Sequence, residues 1–157
     1  MTIKLLLVGK TDLKDLQSLV KIYEQRLSHY VKFETEIIPD LKKTKHLTVE
    51  LQKQKEGEQI LKRLSSSDVV VLLDENGREF TSVKYAQWLQ KQMNSGIKQL
   101  VFVIGGPYGF SEDVYKKSRQ KVALSKMTFS HQMVRLFFTE QLYRAFSILN
   151  NQPYHHE

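Results

Sequence analysis

The 157-residue chain contains no cysteine, three prolines, seven glycines and one tryptophan. Without cysteine there is no disulfide and no thiolate metal cluster, which excludes zinc fingers and suits a reducing compartment. Few prolines and glycines beside 41% hydrophobic residues exclude fibrous and disordered classes. The N-terminal run "IKLLLVG" is shorter than a signal-peptide core and lacks a small-residue cleavage site, and no run approaches the roughly 20 apolar residues that span a bilayer. A cytoplasmic protein with a single domain over residues 1–157 is expected. The first strand-like segment ends in "VGKTD", with one glycine. Neither a G-x-G-x-x-G fingerprint nor a P-loop is present, so nothing there suggests a dinucleotide or ATP.

What is abundant is positive charge. Lysine and arginine number 24 against 17 acidic residues, a formal net charge of +7. The excess is concentrated late: Lys116, Lys117, Arg119, Lys121, Lys126, Arg135 and Arg144 face only Glu140 and Glu157 after residue 114. This distribution fits two readings, attraction of nucleic-acid phosphates or a merely solvated basic face. A second basic cluster, "LKKTKH" from Leu41 to His46, reads as a mobile loop.

Apolar periodicity alternates between the two regular types. "TIKLLLVG", "KFETEII", "DVVVLLD" and "QLVFVIG" read as strands. "DLKDLQSLVKIYEQRLSHY", "TVELQKQKEGEQILKRL" and "SVKYAQWLQKQM" read as helices, with Asp12 and Thr48 as candidate N-caps. A short helix from Ser111, the apolar stretch "KVALS" and a long helix from Ser130 to Asn150 follow. The pattern predicts an α/β fold with a mainly parallel sheet covered by helices on both faces.

In such sheets ligands bind beyond the carboxyl ends of strands. Two further turns stand there: "LLDENGREF", where Asn76-Gly77 is also an ordinary turn dipeptide, and "IGGPYGF", Ile104 to Phe110. Glycines directly after a strand let backbone approach a ligand closely, or serve a tight turn. On the long C-terminal helix, Glu140, Arg144, Ser147 and Asn151 form one narrow polar seam and apolar residues cover nearly everything else. That predicts burial on more than one side, either as a central core helix or with one flank against a second subunit.

The combination of "LLDENGREFTS", "FVIGGPYGF", "LSKMTFSHQMVRLFFTEQLYRA" and a chain ending in "PYHHE" resembles the ribosomal RNA large subunit methyltransferase H family of the SPOUT superfamily, essentially end to end. Two mild departures are Ser130, where relatives often have proline, and Arg78, where lysine is common. The resemblance implies a homodimer whose C-terminal part threads a trefoil knot, a topology that ordinary chains avoid. It implies S-adenosylmethionine as cofactor, held by Leu73, by Gly105 and Gly106, and by the loop Leu124, Ser125, Lys126, Met127, Thr128 and Phe129. It implies methyl transfer to N3 of a pseudouridine in 23S ribosomal RNA, on the assembled ribosome, with no metal and no membrane involved.

The chemistry itself narrows the residues. N3 of a uracil-type ring is a weak acid and a methyl sulfonium is a strong electrophile, so alignment and handling of one proton are the main needs. His131, His155 and His156 are candidates for the proton, and Arg144 for stabilising the developing anion or holding a phosphate. Tyr154 suits stacking on a base, in a tail freed from the helix by Pro153. Arg144, Tyr154 and His155 are therefore the expected catalytic group, in a lid that completes its own pocket or a partner's. Against this, Arg144 has Glu140 as an i,i+4 partner, His131 is placed to cap a helix, and the terminal residues have the composition of a frayed end. A non-enzymatic RNA-binding module and a nucleotide-dependent small-molecule enzyme are the competing readings.

Overall fold

The structure is a computed structural model that describes residues 1–42 and 44–156. Lys43 of the basic cluster and Glu157 of the tail lie outside the described residues; within the cluster, Thr44–His46 forms one 3-10 turn. Five strands, β1 (Thr2–Val8), β2 (Lys32–Ile38), β3 (Val69–Glu79), β4 (Gln99–Ile104) and β5 (Gln120–Ala123), form one sheet in the order β2-β1-β4-β3-β5, and every pairing is parallel. The helices are α1 (Lys14–Leu27), α2 (Val49–Leu61), α3 (Ser82–Asn94), α4 (Glu112–Lys117) and α5 (Met133–Leu149). The expected α/β fold with a parallel sheet is the observed one.

Side chains alternate across a strand, so nearly continuous apolar strands supply two cores. Ile3, Leu5 and Leu7 of β1, with Leu100, Phe102 and Ile104 of β4, pack under α1, α3 and α5. There the Phe102 and Phe138 ring centroids lie 4.7 Å apart. Leu6, Val8, Val101 and Val103 point the other way, to Ile60 of α2 and Val114 of α4. The connections from β3 and β4 therefore lead to helices on opposite faces, and that divergence opens a crevice at the carboxyl ends of these neighbouring strands.

Local signals explain most element boundaries. Thr48 caps α2 by accepting from the Leu51 amide at 3.2 Å, as expected. Asp12 does not cap α1, which begins at Lys14 with no side-chain cap; the Asp12 amide instead donates to Gln132 Oε1 at 2.9 Å. Helix α5 starts at Met133, later than expected, and Ser130 Oγ accepts the Met133 amide at 3.1 Å. His131 is thus not the cap.

One further expectation is corrected. Strand β3 does not stop at Asp74. Leu73 and Arg78 are both in register with Val122, so residues 74–77 arch out and pairing with β5 resumes beyond them. A Cβ at Gly77 would lie 2.6 Å from the Val122 backbone, which is why the arch closes on glycine rather than making a simple turn. The polar seam of α5 is itself mostly covered, in keeping with the expected burial on more than one side: Ser147 is fully buried and donates to the Arg144 carbonyl, while Glu140 and Arg144 are half-buried. Among the described residues, no helix is long and apolar enough to cross a membrane.

Candidate active site

The crevice at the ends of β3, β4 and β5 widens into a cavity of about 520 Å³. Its walls come from three connections, each fixed by a strand end: the arch after Leu73, the turn after Ile104, and the loop from Ala123 to the start of α5. Of the nine residues expected to hold a cofactor, Leu73, Gly105, Gly106, Leu124, Ser125, Met127, Thr128 and Phe129 line it. Lys126 does not. It is exposed, with its ammonium 4.0 Å from Glu79.

The glycine turn is built by close approach. A Cβ on Gly106 would meet the Glu56 carboxylate at 2.5 Å, and one on Gly105 would meet the Phe110 ring at 2.9 Å. Residues 106–109 then make a tight turn, with Pro107 at its second position and the Gly109 amide donating to the Gly106 carbonyl at 3.2 Å. Glu56 lies behind this wall. Gln52 Nε2 donates to its Oε1 at 2.9 Å, Oε2 is buried without a partner, and burial pushes its carboxyl above the usual range.

Opposite the glycines the rim is acidic. Tyr115 donates to Asp74 Oδ2 at 2.5 Å, and Thr128 donates to Glu75 Oε2 at 3.1 Å, so both carboxylates are oriented by hydrogen bonds. Burial, then the bond to Asp74, raise the Tyr115 phenol well above its ordinary value and keep it a donor. The cavity therefore pairs an apolar wall with localised negative charge, which suits a flat ligand carrying a cation.

Arg135, in the sequence only one member of a basic excess, is fully buried. Its Nη2 donates to the Val8 carbonyl at 2.8 Å, Nη1 to Thr11 Oγ1 at 2.9 Å and Nε to the His131 carbonyl at 3.1 Å. This ties the loop that carries His131, on the cavity wall, to the end of β1. Sequence reasoning also misses Glu56 and Tyr115, and it marks Asp74 and Glu75 only as part of the candidate turn "LLDENGREF". For Asp74 and Glu75 a signal exists, since they follow β3 at the carboxyl edge of the sheet; for Glu56 and Arg135 no local pattern marks burial.

Arg144, Tyr154 and His155 come together, but away from this cavity. Val134 lines it, and Arg144 lies ten residues further along α5, about 15 Å at 1.5 Å per residue. Tyr154 donates to Glu140 Oε1 at 3.0 Å, its hydroxyl is 3.2 Å from that of Tyr23, and its ring packs edge-on against Tyr143 at 4.7 Å. Arg144 Nε and Nη2 bond the same Glu140 oxygen at 3.1 and 2.5 Å, and the guanidinium stands 4.7 Å from the Tyr154 ring centroid. That carboxylate raises the Arg144 pKa further, so the side chain is a fixed cation. Arg144 Nη1 is 3.4 Å from His155 Nδ1, which sets the imidazole beside the guanidinium. His156 is exposed. Tyr154 and His155 are not frayed: they fold back on α1 and α5.

The family described as "Predicted SPOUT methyltransferase" matches residues 1–155. The chain belongs to the SPOUT methyltransferase family. It is 67% identical over 156 residues to the ribosomal RNA large subunit methyltransferase H of Christiangramia forsetii, covering 99% of both chains. To proteins of the same name from Flavobacterium johnsoniae and Parabacteroides distasonis it is 64% and 57% identical over 157 residues, covering 100% of each chain.

Proposed function

We propose that the chain is an S-adenosylmethionine-dependent methyltransferase that modifies N3 of a pseudouridine in 23S ribosomal RNA. It works in the cytoplasm as a homodimer on the assembled ribosome, one domain spanning residues 1–157 with its C-terminal segment threaded as a trefoil knot. The observation that carries this reading is the cavity at the ends of β3, β4 and β5, lined by eight of the nine residues that the family resemblance assigns to the cofactor. Full-length relatives named as ribosomal RNA methyltransferases support the substrate.

The residues present fit that cofactor. Leu73, Leu124 and Phe129 offer apolar surface to an adenine ring, and Asp74 and Glu75 offer negative charge to a sulfonium and an ammonium group. S-adenosylmethionine supplies the activated methyl group. The chain's own part is to hold donor and acceptor in line and to exclude water. Arg144, kept cationic by Glu140, stabilises the negative charge on the uracil-type ring when N3 loses its proton. His155, beside Arg144, takes the N3 proton, and Tyr154 stacks on the nucleobase.

Because Arg144 is about 15 Å along α5 from the cavity wall, the tail cluster of one subunit completes the cavity of its partner. Met127, Met133 and Phe137 are exposed beside that cavity, and Phe137 pairs with Phe129 at 5.0 Å, an apolar surface suited to a second copy. Mass mapping of ribosomal RNA from cells with and without the protein tests this reading. Loss of one N3-methylated pseudouridine in the deletion strain supports it; an unchanged modification map overturns it.

A further inference from the structure

A second, smaller groove of about 370 Å³ adjoins the main cavity and is lined by Tyr115, Ser118, Arg119, Gln120 and Lys121. Tyr115 belongs to both. The groove follows the turn from α4 into β5, the outermost strand on that side of the sheet, and its backbone is tied down at both ends. The Arg119 amide donates to the Val70 carbonyl of β3 at 3.0 Å, and the Ser118 amide closes the last turn of α4.

Its chemistry is one-sided. No carboxylate lines it, and among the described residues neither Arg119 nor Lys121 has an acidic partner within salt-bridge distance. The Lys121 ammonium stands 5.4 Å from the Tyr115 ring centroid, which keeps it beside the groove. Gln120 faces the other side of the sheet, where its Oε1 accepts from Trp88 Nε1 at 2.8 Å, so the charge of the groove comes from Arg119 and Lys121. Two cations without an acidic partner, and no acid in the lining, make an anion site. The main cavity is the reverse, with Asp74 and Glu75 on its rim repelling phosphate.

We propose that this groove binds the phosphodiester backbone of the RNA substrate next to the target nucleoside, with Arg119 and Lys121 as the phosphate contacts. The inference rests on the methyltransferase reading above and adds the direction of approach: RNA enters across the α4–β5 edge and avoids the acidic arch of residues 74–77. The contacts are to phosphate and carry no sequence preference. They set register, so that one nucleoside faces the cavity. The competing role for Lys121, protecting an exposed edge strand from pairing with another chain, predicts changes in aggregation and none in RNA affinity.

The test compares two variants of equal net charge: Arg119→Gln/Lys121→Gln, and a control, Lys14→Gln/Lys21→Gln, on exposed positions of α1 across the sheet from α4. Binding of a fluorescein-labelled large-subunit rRNA stem-loop is measured against salt, and methyl transfer to ribosomes from cells lacking the protein gives kcat and KM. The groove variant should bind about tenfold more weakly or worse near 0.1 M salt, and lower the slope of log affinity against log salt by about 1.5 to 2. Its KM for ribosomes should rise in step, while S-adenosylmethionine affinity and thermal unfolding match the parent. Arg119→Lys/Lys121→Arg should restore binding. RNA affinity and salt slope equal to those of the α1 control would overturn the groove while leaving the methyltransferase intact; absence of methyl transfer by the parent protein would instead overturn the reading beneath it.

Discussion

The hydroxyl of Tyr154 donates to Oε1 of Glu140 at 3.0 Å, and through this contact the chain beyond Pro153 is held against the middle of α5. The same oxygen takes two donors from Arg144, so one carboxylate orients both the cation and the aromatic ring proposed to meet the RNA base. Deleting residues 154–157 should leave cofactor affinity and the fold nearly unchanged, because no described tail residue lines the cavity of its own chain. Methyl transfer should fall at least ~100-fold, the scale on which positioning and proton handling act. Calorimetry with S-adenosylmethionine and labelled methyl incorporation into ribosomes check the two halves separately.

Arg135 gives a prediction about stability. Replacing it by methionine keeps much of its apolar stem but leaves the Val8 and His131 carbonyls and Thr11 Oγ1 without their donor. The expected loss is roughly 3 kcal/mol or more, since several polar groups are stranded in and around a buried site. Urea denaturation of Arg135→Met measures it, and a midpoint equal to the parent's would show that these contacts are dispensable.

The glycine turn makes a paired prediction. Gly106→Ala sets a methyl 2.5 Å from Glu56 Oε2, displaces the wall and should weaken S-adenosylmethionine binding by about tenfold. Truncating the opposing side chain in Gly106→Ala/Glu56→Ala removes the clash. The double variant should bind more tightly than Gly106→Ala alone, a coupling expected only between residues in contact.

Glu56 also links stability to pH. Its carboxyl is raised by burial, so the folded protein favours the neutral form and holds the proton to higher pH than the unfolded chain does. Its contribution is therefore most favourable at acid pH and declines as pH rises from the ordinary carboxylate range through the raised value. Glu56→Gln cannot ionise. Relative to the parent, it should gain stability as pH rises from about 4.5 through the raised value, and a parallel pH dependence of the two melting temperatures would contradict this.

The fold is legible wherever a local pattern repeats. The run Ile3 to Val8 announces a strand buried on both faces, and Thr48 announces its helix, because both depend on near neighbours in sequence. What is not legible depends on distant pairing. The arch at residues 74–77 exists because β3 pairs with β5 on both sides of it, and Val122 is more than forty residues away. Arg135 looks like surface charge until the Val8 carbonyl, 127 residues earlier, is brought beneath it. Eight of the residues that line the cavity are legible through resemblance to a family, and of those it implies only Lys126 lies outside the lining. Arg144, Tyr154 and His155 stand together as their sequence positions suggest, but their separation from the cavity follows from the length of α5 and needed coordinates.

The most direct test of the central claim is methyl transfer by the purified protein. Ribosomes from cells lacking it are incubated with S-adenosylmethionine labelled in the methyl group, and the 23S ribosomal RNA is then digested and mapped by mass spectrometry. The predicted result is one labelled nucleoside, N3-methylpseudouridine, at a single position and only when protein and cofactor are both present. Label at another atom or base, or none in the RNA while S-adenosylmethionine still binds, would contradict it.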